Sequence, residues 1–215
     1  MENKKKATAR QMERYPLYLA YLKKLQSRGV SIVTSPSLAK IFHSSEEQVR
    51  KDLHLISRSS GKPGSGRNVH ELIEDIEDFL GYHHQKYAIV CGVGNLGSAF
   101  MGYTGFSKAG IEVLGGFDID KSKTGTFVRG KRVFSMKKLE TIVKDSDIRI
   151  AILTTPVEAA QECADQLVKA GIRAILNFAP THLQVPEDIN VLNVDLAATL
   201  SVLAQNIIEK ESEYE

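Results

Sequence analysis

Two periodicities divide the chain. Up to about residue 80, apolar positions recur at helical spacing; beyond Lys86, short apolar runs alternate with helical stretches. In the first part, Tyr15, Tyr18, Leu19, Leu22 and Leu25 share one face of a helix predicted over residues 14–26. A second helix is predicted with Ser35 as N-cap and Pro36 at the first helical position, carrying Leu38, Ala39 and Ile41. A third begins at Ser44 or Ser45, where Ser45-Glu46-Glu47-Gln48 reads as a capping box. Its apolar side is Val49, Leu53 and Ile56. Lys51, His54 and Arg58 fall opposite, with Arg50 beside them. The turn-rich Gly61-Lys62-Pro63-Gly64-Ser65-Gly66 follows, then an acidic amphipathic stretch over 69–80 and a linker, Gly81-Tyr82-His83-His84-Gln85.

The second part reads as strands at 87–91, 112–117, 149–153, 174–177 and 190–193, with helices at 96–101, 136–143 and 157–170. Strands alternating with helices imply parallel βαβ units and the α/β class. A last helix over 196–210 sets Leu196, Leu200, Leu203 and Ile207 on one face. The expected organisation is a helical segment over residues 1–80, a strand–helix alternation over 81–195, and a C-terminal helix over 196–215.

The most specific motif joins the first strand of the second part to its helix: Gly92-Val93-Gly94-Asn95-Leu96-Gly97. GxGxxG alone is weak. Here it follows an apolar strand, begins a helix, and has Asp118 21 positions after Gly97, at the end of the next strand. Gly92 permits the tight turn, Gly94 lets a pyrophosphate approach the backbone, and Gly97 lets helix and sheet pack closely. The helix N-terminus offers amides and partial positive charge to the phosphates. Asp118 is expected to accept hydrogen bonds from the adenine-side ribose and to repel an NADP 2′-phosphate, with Lys121 and Lys123 weakening that exclusion. The expected ligand is therefore NAD+ or NADH. Further strand ends carry Thr154-Thr155-Pro156, Asn177-Phe178-Ala179-Pro180 and Asp195, on the edge where open α/β sheets bind ligands.

A dehydrogenase would need an acid or base beside the nicotinamide. His182 is the histidine among the later strand ends, and no pairing of His with Asp, or of Ser, Tyr and Lys, accompanies it. Cys91 and Cys163 fall inside a strand and a helix and read as core residues; their spacing suits neither a metal site nor a disulfide framework. The reading is of a protein that is not an enzyme, with a small dehydrogenase as an alternative.

Charge adds a second signal. Residues 1–70 hold 14 basic and 5 acidic side chains; the remainder holds 14 and 21. A basic third joined to an acidic remainder fits a nucleic-acid module on another domain, or an ordinary solvated face; charge alone does not choose. The helix pair with a basic outer stripe fits a helix-turn-helix, with the glycine-rich segment as its wing. The candidate DNA contacts are Gln48, Arg50, Lys51, His54 and Arg58 on the helix, and Lys62 and Arg67 on the wing. The alternative is a small helical cap. No apolar run reaches a membrane-spanning length and no secretory leader is seen, so the cytoplasm is the expected location.

With both halves in view, the chain resembles the Rex family of redox-sensing transcriptional repressors. Gln48-Val49-Arg50-Lys51-Asp52-Leu53 and the glycine motif carry the resemblance. So do Phe117-Asp118-Ile119-Asp120, residues 151–156, residues 170–180, and Asn193-Val194-Asp195-Leu196. It implies a winged-helix (helix-turn-helix) domain over residues 1–80, a Rossmann domain over 81–195 and a C-terminal dimerisation helix over 196–215, in a homodimer that binds operator DNA, is released by NADH, and exchanges its final helix between subunits. Positions matching Tyr103 and Asp195 take part in sensing the nicotinamide, whose oxidised ring is charged and reduced ring is not. The departures lie in the N-terminal third. Ala20 stands where the family has arginine, His54-Leu55-Ile56-Ser57 where it has Ser-Tyr-Phe-Gly, and the wing carries Pro63 and Arg67 at characteristic positions. These leave a further alternative: an NAD(H)-binding relative with lost or altered operator binding, entering a mixed dimer with another Rex-like chain.

Overall fold

The computed structural model describes residues 7–57 and 66–212. Arg58, Lys62, Pro63 and the tip of the expected wing lie outside the described residues. Contacts group the chain into two units, Met1–His84 and Gln85–Glu215.

The first unit holds helices α1 (Ala9–Ser27), α2 (Ser35–Ile41), α3 (Glu46–Ile56) and α4 (Val69–Leu80), with strands β1 (Ile32–Val33) and β2 (Arg67–Asn68) paired antiparallel. α1 starts earlier than its apolar pattern because Thr8 and Gln11 form a reciprocal capping box over a first turn that has no apolar stripe. α2 is capped by Thr34 rather than Ser35, with Pro36 one position further in than expected. Thr34 can exchange hydrogen bonds with Ser37 at 3.2 and 3.3 Å; Ser35 would face Leu38 at that offset. α3 begins at Ser45, whose hydroxyl accepts the Gln48 amide at 3.1 Å. The expected box is only half made, since the Gln48 side chain turns to Asp52 instead. Tyr15, Tyr18, Leu22, Leu38, Val49, Leu53 and Ile76 are fully buried and knit the helices into one core. Each such large side chain contributes roughly 2 kcal/mol by leaving water.

The second unit is a seven-stranded sheet in the order β5-β6-β4-β3-β7-β8-β9. Its strands are β3 (Lys86–Cys91), β4 (Ile111–Asp118), β5 (Phe127–Val128), β6 (Lys131–Ser135), β7 (Ile150–Leu153), β8 (Ala174–Asn177) and β9 (Asn190–Asn193). All neighbours are parallel except β5 with β6. Without β5 this is the doubly wound dinucleotide-type order, whose switch point lies between β3 and β7. Helices α5 (Asn95–Met101), α6 (Thr104–Lys108), α7 (Leu139–Asp145) and α8 (Val157–Ala170) connect the strands, and α9 (Leu196–Ser212) ends the described chain. The α/β class and parallel sheet expected from the pattern are present. β5, β6 and α6 were not expected: β6 fully buries only Val133 and opens on Lys131 and Arg132, and α6 has five residues.

Candidate functional site

The glycine motif sits at the switch point. Gly92 leaves β3 with φ +90°, and a Cβ there would come within 2.8 Å of the Thr154 carbonyl and 2.9 Å of the Thr155 nitrogen. A Cβ on Gly97 would overlap the Gly92 carbonyl oxygen, so α5 can approach β3 only with glycine there. Gly94 differs: nothing lies within 4 Å of where its Cβ would be. That open side faces the start of α5, which has no side-chain cap, with Asn95 and Leu96 exposed. Val93 is buried and donates its amide to Asp118 Oδ2 at 2.8 Å.

Beyond the ribose contact expected of it, Asp118 has a structural part. It is 8% exposed, and it also accepts the Asp120 amide at 2.9 Å and Lys123 Nζ at 3.1 Å. Burial pushes its carboxyl up, but the two amides and Lys123 together outweigh that and hold it below the ordinary aspartate value. An anion locked to the Val93 amide fixes the loop that would receive the diphosphate. Sequence reasoning missed Asp120, which stands exposed beside it, and reached Lys123 only as a nearby charge. The signal was a second acid two positions beyond Asp118, just past the end of β4.

At the end of β7, Thr154 donates its hydroxyl to the Gly92 carbonyl at 2.7 Å. Among the described residues, Thr155 Oγ1 is a buried side-chain polar atom with no hydrogen-bond partner. An orphaned hydroxyl beside an open glycine turn fits a site made for a polar ligand. Pro156 is exposed and N-caps α8.

At the end of β8, Asn177 is fully buried, and its amide donates to Thr181 O and Asn193 Oδ1, both at 2.8 Å, while its Oδ1 accepts the Ala179 amide at 3.0 Å. Asn177 thus shapes the loop of Phe178, Ala179 and Pro180 from inside. Asn193, which completes this lock, was not singled out. Phe178 packs on Phe100 at 4.7 Å, Phe100 on Phe106 at 5.9 Å, and Phe106 edge-on to Tyr103 at 5.0 Å. This aromatic row brings Tyr103, itself 57% exposed, into one cluster with the end of β8. Asp195 is exposed and caps α9, its Oδ1 accepting the Ala198 amide at 2.8 Å. Asp195 and Tyr103 share no hydrogen bond or ring contact among the described residues.

In the first unit, Arg50, Lys51 and His54 are exposed on α3, as its helical spacing predicts. The stripe carries its own counter-charges: Lys51 pairs with Glu47 at 2.8 Å and Arg50 with Glu46 at 3.8 Å. Gln48 is half-exposed, and its side-chain amide donates to Asp52 at 2.9 Å. Arg67 donates to Ser57 Oγ at 2.8 Å, tying β2 to the end of α3. Ala20 lies exposed on α1. Cys91 and Cys163 are both buried, and the Cys163 neighbour together with burial pushes the Cys91 thiol well up, consistent with core residues. Among the described residues no helix is long and apolar enough to cross a membrane, and no group of His, Cys, Asp and Glu could hold a metal ion.

A helix-turn-helix with a two-stranded antiparallel ribbon, and a complete Rossmann sheet with a glycine turn at its switch point, define a two-domain nucleotide-binding regulator. Comparison with known proteins supports that class and narrows it. A family described as a CoA binding domain matches residues 83–181, and one described as a putative DNA-binding protein N-terminus matches residues 8–54. The redox-sensing transcriptional repressor Rex of Roseiflexus sp. (strain RS-1) is 41% identical, covering 88% of this chain and 86% of the relative. Rex of Desulforamulus reducens is 39% identical over 92% and 94%, and Rex of Treponema denticola 40% over 94% and 96%. The crystal structure of RSP, a Rex-family repressor, in complex with beta-NAD+ and operator DNA is similar with TM-score 0.90 at 34% identity, over 98% of this chain and 97% of that one. RSP in complex with beta-NADH gives 0.86 over 97% of each. The chain belongs to the Rex family of redox-sensing transcriptional repressors, a family of regulators and not of enzymes.

Proposed function

We propose that this chain represses transcription as a DNA-bound homodimer and is released when NADH occupies its Rossmann unit. The observation that carries the reading is the turn at the switch point: Gly92 and Gly97 locked against Thr154, Gly94 open, and the Thr155 hydroxyl buried without a partner. The residues present fit an adenine dinucleotide. The diphosphate would lie against the amides of 94–97, and the adenine-side ribose would meet Asp118 and Asp120. The nicotinamide would lie toward Thr155, Pro156 and the Phe178–Pro180 loop, with Tyr103 and Asp195 sensing its charge.

Homodimerisation is supported by α9, where Leu196, Leu200, Val202, Leu203 and Ile207 are each more than half exposed. An amphipathic helix so bare needs a partner surface, and a second copy of this chain supplies one. A two-fold dimer would present two α3 helices to successive major grooves, with Arg50, Lys51 and His54 toward the DNA and Arg58, Lys62 and Arg67 toward phosphates. A repressor of this kind works in the cytoplasm.

The test is selection from random duplexes with and without NADH. Enrichment of a two-fold symmetric sequence, lost when NADH is added, is expected. No enrichment would overturn operator binding. A second reading, an NAD(H)-binding relative that reaches DNA only in a mixed dimer, draws on the Glu46 and Glu47 counter-charges. It predicts enrichment only when another Rex-like chain is present.

A further inference from the structure

We infer that Asp52 is a positioning residue for DNA reading, a buried carboxylate that sets the rotation of α3 against α1. The inference rests on the proposal that α3 reads DNA. Asp52 is completely buried, yet it is an acid on the apolar side of an amphipathic helix, one turn from both Val49 and Ile56. Five donor groups converge on it. Arg14 grips it two-pronged, Nε to Oδ2 at 2.7 Å and Nη2 to Oδ1 at 2.9 Å. The Tyr18 hydroxyl donates to Oδ2 at 3.0 Å, and the amides of Gln11 and Gln48 donate to Oδ1 at 3.2 and 2.9 Å. The Tyr15 hydroxyl reaches the Asp52 backbone carbonyl at 3.1 Å.

Four of these residues stand on α1 at 11, 14, 15 and 18, two turns of one face. The contacts thus bind a single point of α3 to a fixed stretch of α1. Stability alone does not call for this arrangement, since a buried ion pair can often be replaced by apolar side chains without loss. What it supplies is direction. Val49, Leu53 and Ile56 contribute non-directional burial, whereas a two-pronged guanidinium–carboxylate pair is planar and fixes orientation. Asp52 follows Lys51 directly and Arg50 by two residues, so its azimuth fixes theirs. Base reading needs side chains placed within about 0.5 Å and roughly 10–20°, tighter than apolar packing alone imposes. The same geometry gives Gln48 an inner role, bracing Asp52 from within α3.

The experiment compares wild type, Asp52→Asn, and the apolar double variant Arg14→Met/Asp52→Leu. Each is held at a temperature where circular dichroism shows it folded, and NADH affinity serves as the check on the second unit. The probes are the duplex that wild type enriches from a random pool and a scrambled duplex of the same composition. At least a tenfold loss of affinity for the enriched duplex is expected, with scrambled-duplex and NADH affinities within twofold of wild type. The double variant keeps the fold even where Asp52→Asn does not. A folded variant that retains discrimination, or that loses both duplexes equally, overturns the inference. If wild type enriches nothing, the reading of α3 as a DNA helix fails, and this inference with it.

Discussion

Thr154 donates its hydroxyl to the carbonyl of Gly92 at 2.7 Å, and its amide donates to the carbonyl of Cys91 at 2.8 Å. The ends of β3 and β7 are thereby clamped side by side where the strand order reverses. The clamp and the glycines make separable contributions, and three substitutions distinguish them. Gly97→Ala drives a methyl into the Gly92 carbonyl and should destabilise the second unit by about 1–3 kcal/mol, visible as a lower unfolding temperature. Gly94→Ala meets nothing in the protein and should leave that temperature unchanged. Both should weaken NADH binding by tenfold or more in a fluorescence titration. Thr154→Val, which removes the hydroxyl donor, should fall between them in stability.

Asp118→Ala should weaken NADH binding by more than ~1 kcal/mol, the scale of a lost charged hydrogen bond. The loss has two sources, the ribose contact and the freed Val93 amide. Calorimetry on Asp118→Asn, which retains one acceptor oxygen, should show a smaller deficit. Equal affinity in all three proteins would remove Asp118 from the site.

Two of the buried aspartates, Asp52 and Asp118, give acid sensitivity of defined sign. Burial raises Asp52, but Arg14, Gln48, Gln11 and Tyr18 together hold it below its ordinary value of 3.8, and Asp118 is likewise lowered. A depressed folded-state value gives stability that is present above pH 3.8 and lost as pH falls through the lower folded value. Tyr15 and Tyr18 work at the other end: burial, helped by Asp52, pushes both from 10.0 up to about 12. Their contribution is intact below pH 10 and lost as pH rises toward about 12. Urea unfolding followed by tyrosine fluorescence should therefore show the first unit weakening on both flanks, and Tyr18→Phe should lessen the alkaline loss.

The bare face of α9 predicts the oligomeric state. Leu200→Glu or Leu203→Glu should convert a dimer to a monomer in sedimentation equilibrium, while NADH binding by the second unit persists in weakened or unaltered form. Both variants remaining dimeric would place the interface elsewhere.

What the amino-acid pattern disclosed, and what it hid, has a physical basis. α8 and β8 match their expected spans residue for residue because Pro156, Gly171 and a long apolar periodicity bound them. Gly92, Gly94 and Gly97 were legible because their spacing between an apolar strand and a helix is itself a sequence pattern, although the partner that crowds Gly92 is the distant Thr154. The Asp52 array was not, because Arg14 lies 38 residues away and hydrogen-bonding partners at that distance leave no periodic trace. The clue present was an acid on the apolar side of a helix, which demands a partner. The inward bonds of Asn177 to Asn193 and Thr181 were hidden as well, since a polar residue at a strand end reads equally as a ligand contact.

The central claim joins the two units through one ligand. Its most direct measurement is fluorescence anisotropy of the selected duplex at constant total cofactor while the ratio of NADH to NAD+ is varied. The account predicts that DNA affinity falls steadily as NADH replaces NAD+ and that Gly94→Ala abolishes the response without abolishing DNA binding. An affinity indifferent to the ratio, with cofactor shown bound throughout, would contradict it.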